Sequence, residues 1–188
     1  MGIFLRHDLP DLVLTVLQRH AGLKDTDLER VVTAGAPEAI GLLLAGRLDA
    51  ALVVEPLAAA ALAKAQATGR PLVRALDVNV AWDRATGRKG GIPQIGLAVA
   101  GPLKAQIPAL QAGLQEAIQL ATRQPDAFLA QQPPGLGDAA ALRAALPHMA
   151  LEHRSAASAR ADLEAFFRTL QGVNARLVPA LPGPGFYR

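Results

Sequence analysis

Apolar positions recur at two periods along the chain, and their alternation sets out the expected elements. Gly2 to Leu5 reads as a short buried strand, followed by a turn at Arg6, His7 and Asp8. Pro10 then opens a helix whose Leu12, Val13, Val16 and Leu17 share one face, and Gly22 stops it. A second strand is predicted at Leu28 to Thr33, then a loop Ala34-Gly35-Ala36 and a helix from Pro37 to Ala45 closed by Gly46. Leu48 to Val54 is apolar almost throughout, the pattern of a strand covered on both faces, and Glu55-Pro56 ends it before an Ala-rich helix from Leu57 to Gln66. After the turn Thr68-Gly69-Arg70-Pro71 comes a short strand, Leu72 to Ala75. Asp77 to Gly91, with Trp82 inside it, reads as an exposed connection.

One more strand is expected at Ile95 to Ala100 and then a long amphipathic helix from Leu103 to Thr122, with Leu110, Leu114, Ala117, Ile118 and Ala121 on its buried side. From there the pattern is helical only. A short helix starts at Pro125 and contains Phe128, the loop Gln132-Pro133-Pro134-Gly135 breaks it, and Asp138 caps another that runs to Leu146. A last helix covers Ser158 to Leu170 with Phe166 and Phe167 inside, and Leu181 to Arg188 forms an extended tail pinned by Phe186-Tyr187. Strand and helix units in alternation call for an α/β fold with a parallel-rich sheet flanked by helices and a helical C-terminal portion. The division that follows is a complete α/β lobe over residues 1–91 and part of a second lobe, a return strand with C-terminal helices, over 92–188.

Composition narrows the chemistry. In 188 residues, 51% hydrophobic but only 4% aromatic, helices must stack through small and medium side chains. The net charge of +3 comes from scattered basic residues with no run of the kind that binds nucleic acid, so no nucleic-acid partner is expected. There is no Cys, which excludes disulfides and thiol chemistry, and the four His lie at spacings that do not form a metal pair. No cofactor is expected. The N-terminus has no apolar region of signal-peptide length and no window suits a membrane span.

The stretch from Ala36 to Pro56, a helix ending Ala45-Gly46-Arg47-Leu48-Asp49-Ala50, a buried strand and Glu55-Pro56 at its exit, resembles the substrate-binding proteins of ABC importers for nitrate, sulfonate, taurine and thiamine-precursor-like solutes. Ala21-Gly22-Leu23 before it, Ile92 to Val99 and Ile107 to Leu110 after it, and Phe186-Tyr187 at the close are similar to the same family. The resemblance implies a type II periplasmic-binding-protein-like fold that lacks about a hundred residues of the usual opening lobe. It implies a periplasmic location for the full-length protein, a monomeric state, a membrane permease as partner and a small polar or anionic solute as ligand. The lobes would close about Leu76 to Trp82 and Gly91 to Gln94.

Candidate ligand contacts sit where strands would hand over to helices. They are Arg6, His7 and Asp8 in the first such loop, Gly35 and Ala36 in the second, and Glu55 in the third; Asp8 reads equally as a helix cap and Glu55 as an anchor for a backbone N–H. Trp82 as a stacking platform and Gln94 complete the set, a lone Trp being more often core. No nucleophile–base pair, phosphate loop or carboxylate pair stands out, so catalysis is not expected, an enzyme of menaquinone-pathway type or a regulator's sensing domain being the alternatives on the same fold.

Overall fold

The computed structural model describes residues 1–3, 6–133 and 137–187. The expected end of the first strand (Phe4, Leu5), part of the loop at Pro134-Gly135 and Arg188 lie outside them. Helix dominates, and the sheet is much smaller than the alternation predicts. Strand β1 (Gly2–Ile3) pairs in parallel with β2 (Val31–Val32), Gly2 opposite Val31 and Ile3 opposite Val32. On its other side Gly2 forms a parallel bridge to Ala51, the remnant of the strand expected over Leu48 to Val54. Gly2 donates to the Ala50 carbonyl at 2.9 Å and accepts from the Leu52 N–H at 3.1 Å.

The centre of this small sheet is tight at Gly2, where any side chain would have to displace that of Leu48. A Cβ on Gly2 would lie 2.8 Å from Leu48 Cδ1 and 3.3 Å from the Ala39 Cβ, so the backbone is pressed against α2 (Ala36–Leu44) from inside. Ile3, fully buried, carries the adjacent apolar contact.

Helix α1 (Leu9–His20) packs against α4 (Val78–Thr86) and α8 (Ala156–Val173). Their shared core is Leu12, Val13, Trp82, Ile92, Phe166 and Leu170. Helix α3 (Leu57–Ala67) lies on α7 (Ala139–Ala145) through alanines, Ala61, Ala65, Ala141 and Ala145 all being buried. Small side chains let these backbones approach closely, as the Ala-rich, aromatic-poor composition requires. Helices α5 (Ile107–Arg123) and α6 (Pro125–Ala130) form the remaining layer.

Four expectations are corrected. The connection over Asp77 to Gly91 is the helix α4, capped by the Asp77 side chain, which accepts from the Val80 N–H at 3.1 Å, and closed by Gly87 at a left-handed φ of 67°. Trp82 supplies its inner face. The strands expected at Leu72 to Ala75 and Ile95 to Ala100 form no regular secondary structure, because no described segment offers them a ladder. The long helix begins at Ile107 rather than Leu103, after a 3-10 turn over Gly101–Gln106, since Pro108 lacks an N–H and is accommodated in a first turn but not in a helix interior. Leu110 and Leu114 on it are 41% and 43% exposed instead of buried, and Ala117 is exposed too.

The tail is pinned as expected, though by one aromatic rather than two. Tyr187 is buried while Phe186 stays 58% exposed, and a chain of ring contacts runs from Trp82 through Phe166 and Phe167 to both.

Candidate functional site at the carboxyl edge of the sheet

Because β2, β1 and the Ala51 segment all run parallel, with β1 in the middle, the chain leaves all three at one edge. The loops at that edge lead into α1, α2 and α3. Three helix N-termini therefore face one rim, and the strand order reverses beside β1, the place where open α/β sheets take ligands. The positive ends of helix dipoles favour an anionic or polar group there.

In the first loop Arg6 and His7 are exposed. His7 holds a left-handed φ of 69°, a conformation that costs a residue with a Cβ about 1–2 kcal/mol. Its N–H donates to Asp11 Oδ2 at 2.7 Å, which holds the strained turn. Asp8 is the cap of α1, its Oδ1 accepting from the Asp11 N–H at 3.1 Å. Of the two readings of Asp8, the geometry gives the cap.

The second loop is Gly35 and Ala36. Ala36 is buried and Gly35 presents bare backbone, while Glu38 reaches back to accept from the Ala34 N–H at 2.6 Å. The Thr33 hydroxyl ties the loop to the sheet by donating to the Ile3 carbonyl at 3.0 Å.

In the third loop both oxygens of Glu55 are occupied. Oε1 accepts from Arg74 Nε at 2.9 Å and Nη2 at 2.8 Å, and Oε2 accepts from the Ala59 N–H at 3.0 Å, inside the first turn of α3. The side chain is 12% exposed, so its charge is answered by Arg74 within the protein.

The edge thus gathers Arg6, His7, Asp8, Gly35, Ala36 and Glu55. It does not gather Trp82, which is 3% exposed and stacked in the core 5.5 Å from Phe166, with no face left for a ligand. Gln94 stands exposed on the unpaired segment after Ile92 and makes no hydrogen bond to a described residue.

Beside the first loop runs a cleft of about 600 Å³ lined by Arg6, His7, Asp11, Thr15, Arg30 and Asn174 among others. Its floor is a network absent from the expected set. Arg30 Nη1 donates to Asp11 Oδ1 at 2.5 Å and to Thr15 Oγ1 at 2.9 Å, and Nη2 donates to Gln18 Oε1 at 2.6 Å. The signal was present in the sequence: Asp11, Thr15 and Gln18 share one face of α1 at helical spacing, and Arg30 is the lone cation beside an apolar strand. Among the described residues no group of three or more His, Asp or Glu is placed to hold a metal ion, and no helix is long and apolar enough to cross a membrane.

No protein-family model matches this chain, and no curated protein does. A solved structure does: the crystal structure of an ABC transporter from Parabacteroides distasonis, determined at 1.75 Å, superposes with a TM-score of 0.81 over 100% of this chain at 20% identity. The likeness shows the fold, a mixed α/β arrangement rich in helix that this chain shares with an ABC-transporter protein. The chain spans 65% of the length of that protein.

Proposed function

We propose that the chain is the solute-binding component of an ABC-type importer, with the type II periplasmic-binding-protein architecture, acting in the periplasm and delivering its ligand to a membrane permease. The observation that carries this reading is the rim where the N-termini of α1, α2 and α3 converge beside the exposed Arg6 and His7. Such a rim binds without transforming: its helix N-termini are already capped by Asp8, Glu38 and Glu55, which leaves the exposed Arg6 and His7 as the groups that meet a small organic anion or polar solute, a sulfonate, nitrate, taurine or a pyrimidine. Capture is by closure of two lobes on the solute, about the connections expected at Leu76 to Trp82 and Gly91 to Gln94, the first of which runs into α4 at Val78.

The test is isothermal titration and thermal-shift measurement with nitrate, taurine, an alkanesulfonate and a pyrimidine. Saturable binding of one of them, weakened about tenfold or more by Arg6→Glu, is expected, since reversing an exposed charge at the rim repels an anion without disturbing the core. Absence of binding by all four, in both measurements, overturns the reading.

A further inference from the structure

The cleft of about 600 Å³ beside the first loop is lined by charges of both signs, and most of them answer one another. Asp11 has no oxygen to spare: Oδ1 accepts from Arg30 Nη1 at 2.5 Å and Oδ2 from the His7 N–H at 2.7 Å. Both terminal nitrogens of Arg30 are bonded, to Asp11 and Thr15 through Nη1 and to Gln18 through Nη2. Asp25 faces Arg19 at 4.0 Å. That leaves Arg6 and Glu29. Both are exposed, and among the described residues neither side chain makes a hydrogen bond or an ion pair.

The two free charges belong to opposite edges of the sheet. Arg6 and His7 stand at the carboxyl edge, at the start of α1, where Asp11 holds the His7 N–H. Glu29 precedes β2 at the amino edge, and its carbonyl accepts from the Met1 ammonium at 2.9 Å, which leaves the carboxylate free. Helix α1 runs along the cleft through Leu12 and Thr15 to Arg19, the eight residues from Asp11 to Arg19 rising about 12 Å. Leu12, Leu28 and Val173 give the lining its apolar stretches. A plain anion meets Arg6 and His7 but leaves Glu29 unanswered, and a lone nitrate fills only a small part of such a volume. Resting on the solute-binding reading above, we infer that the cleft takes a zwitterion whose two charges stand apart on an aliphatic body. The solute is an ω-amino acid: its carboxylate or sulfonate lies on Arg6 and His7, its ammonium on Glu29 and its methylenes against Leu12, Leu28 and Val173. The ammonium donates to the Glu29 carboxylate in a charge-assisted pair that an unsubstituted acid cannot make.

Titration calorimetry of the full chain with 6-aminohexanoate, hexanoate and hexylamine at one ionic strength tests this, with taurine and ethanesulfonate as a shorter matched pair. The expected result is that 6-aminohexanoate binds about tenfold or more tighter than either half-molecule. Glu29→Gln brings the ratio of 6-aminohexanoate to hexanoate affinity down to about one, because the ammonium then has no carboxylate to meet. Glu152→Gln, at an exposed carboxylate outside the cleft, preserves the ratio. Circular dichroism and thermal midpoints equal to the parent's certify each variant as folded. Acids that bind as tightly as their amino counterparts, or a preference that survives Glu29→Gln, overturn the inference and leave a solute-binding protein for plain anions. Binding by none of these probes overturns it equally, and nitrate and the pyrimidine then decide the wider reading.

Discussion

Trp82 and Phe166 meet with ring centroids 5.5 Å apart and planes tilted by 59°, a contact between α4 and α8. Both are buried, at 3% and 7% exposure, and Leu12, Val13 and Leu170 close around them. Truncating either ring leaves a cavity that the backbones cannot fill, so Trp82→Ala or Phe166→Ala loses about 3–5 kcal/mol of stability in urea denaturation. The double-mutant cycle assigns about 0.5–1.5 kcal/mol to the ring pair itself. A stable Trp82→Ala variant with impaired solute binding would return this residue to the ligand site.

The Arg30–Asp11 pair sits deeper than a surface salt bridge, with side chains 15% and 6% exposed, so solvent screens it little. Arg30→Ala leaves the Asp11 carboxylate buried without its cation and also strips partners from Thr15 and Gln18. A loss of about 3–5 kcal/mol is expected, while Arg30→Met combined with Asp11→Leu recovers the part due to the unpaired buried charge but not the hydrogen bonds to Thr15, Gln18 and the His7 N–H. Equilibrium unfolding of the parent and the two variants decides, and a double variant as weak as the single one contradicts the explanation.

What could be read from the sequence was the local part of the fold. Pro10, Pro37 and Gly46 bracket helices that form within a residue or two of expectation, and Asp138 caps α7 through the Ala140 N–H as its position suggests. Strands are not local in that sense. Leu72 to Ala75 and Ile95 to Ala100 carry the apolar pattern of strands, yet a strand exists only where a neighbour supplies hydrogen bonds, and the described residues supply none. Trp82 failed for another reason: Asp77, Val78, Trp82 and Gly87 have the cap, spacing and stop of a short helix, but the Gly- and Arg-rich run that follows drew the whole stretch into a loop. At the rim, residue types were legible and partners were not. Glu55 announces a strand exit; that Arg74 and the Ala59 N–H share its oxygens depends on a chain reversal no spacing reveals.

Glu55 and Arg74 separate two roles that a single substitution would mix. Glu55→Ala removes the acceptor for the Ala59 N–H in the first turn of α3 together with the ion pair, and costs about 1–2 kcal/mol. Arg74→Ala breaks only the pair, whose guanidinium is 33% exposed, and costs about 1 kcal/mol or less. Thermal and urea unfolding should rank them in that order. The reverse order means that the ion pair, not the helix start, is what Glu55 serves.

Acid sensitivity should concentrate on α8. The carboxyl of Asp162 is held below the usual aspartate range by hydrogen bonds from Arg88 and then Arg154, which tie the loop after α4 and the entry of α8 to one acceptor. A carboxyl depressed in the folded state contributes stability that is complete above its unfolded value, about 3.9 for Asp, and that disappears as the pH falls through the lower folded value. The stability difference between the parent and Asp162→Asn is therefore constant at neutral and mildly acidic pH, shrinks below about pH 4 and vanishes once both forms are uncharged at this position. Glu164, likewise lowered by the hydrogen bond from Arg160, keeps some acid sensitivity in the variant. Urea midpoints measured across the acid range test the sign, and a difference that grows as the pH falls would mean that Asp162 is not the acceptor that joins Arg88 to Arg154.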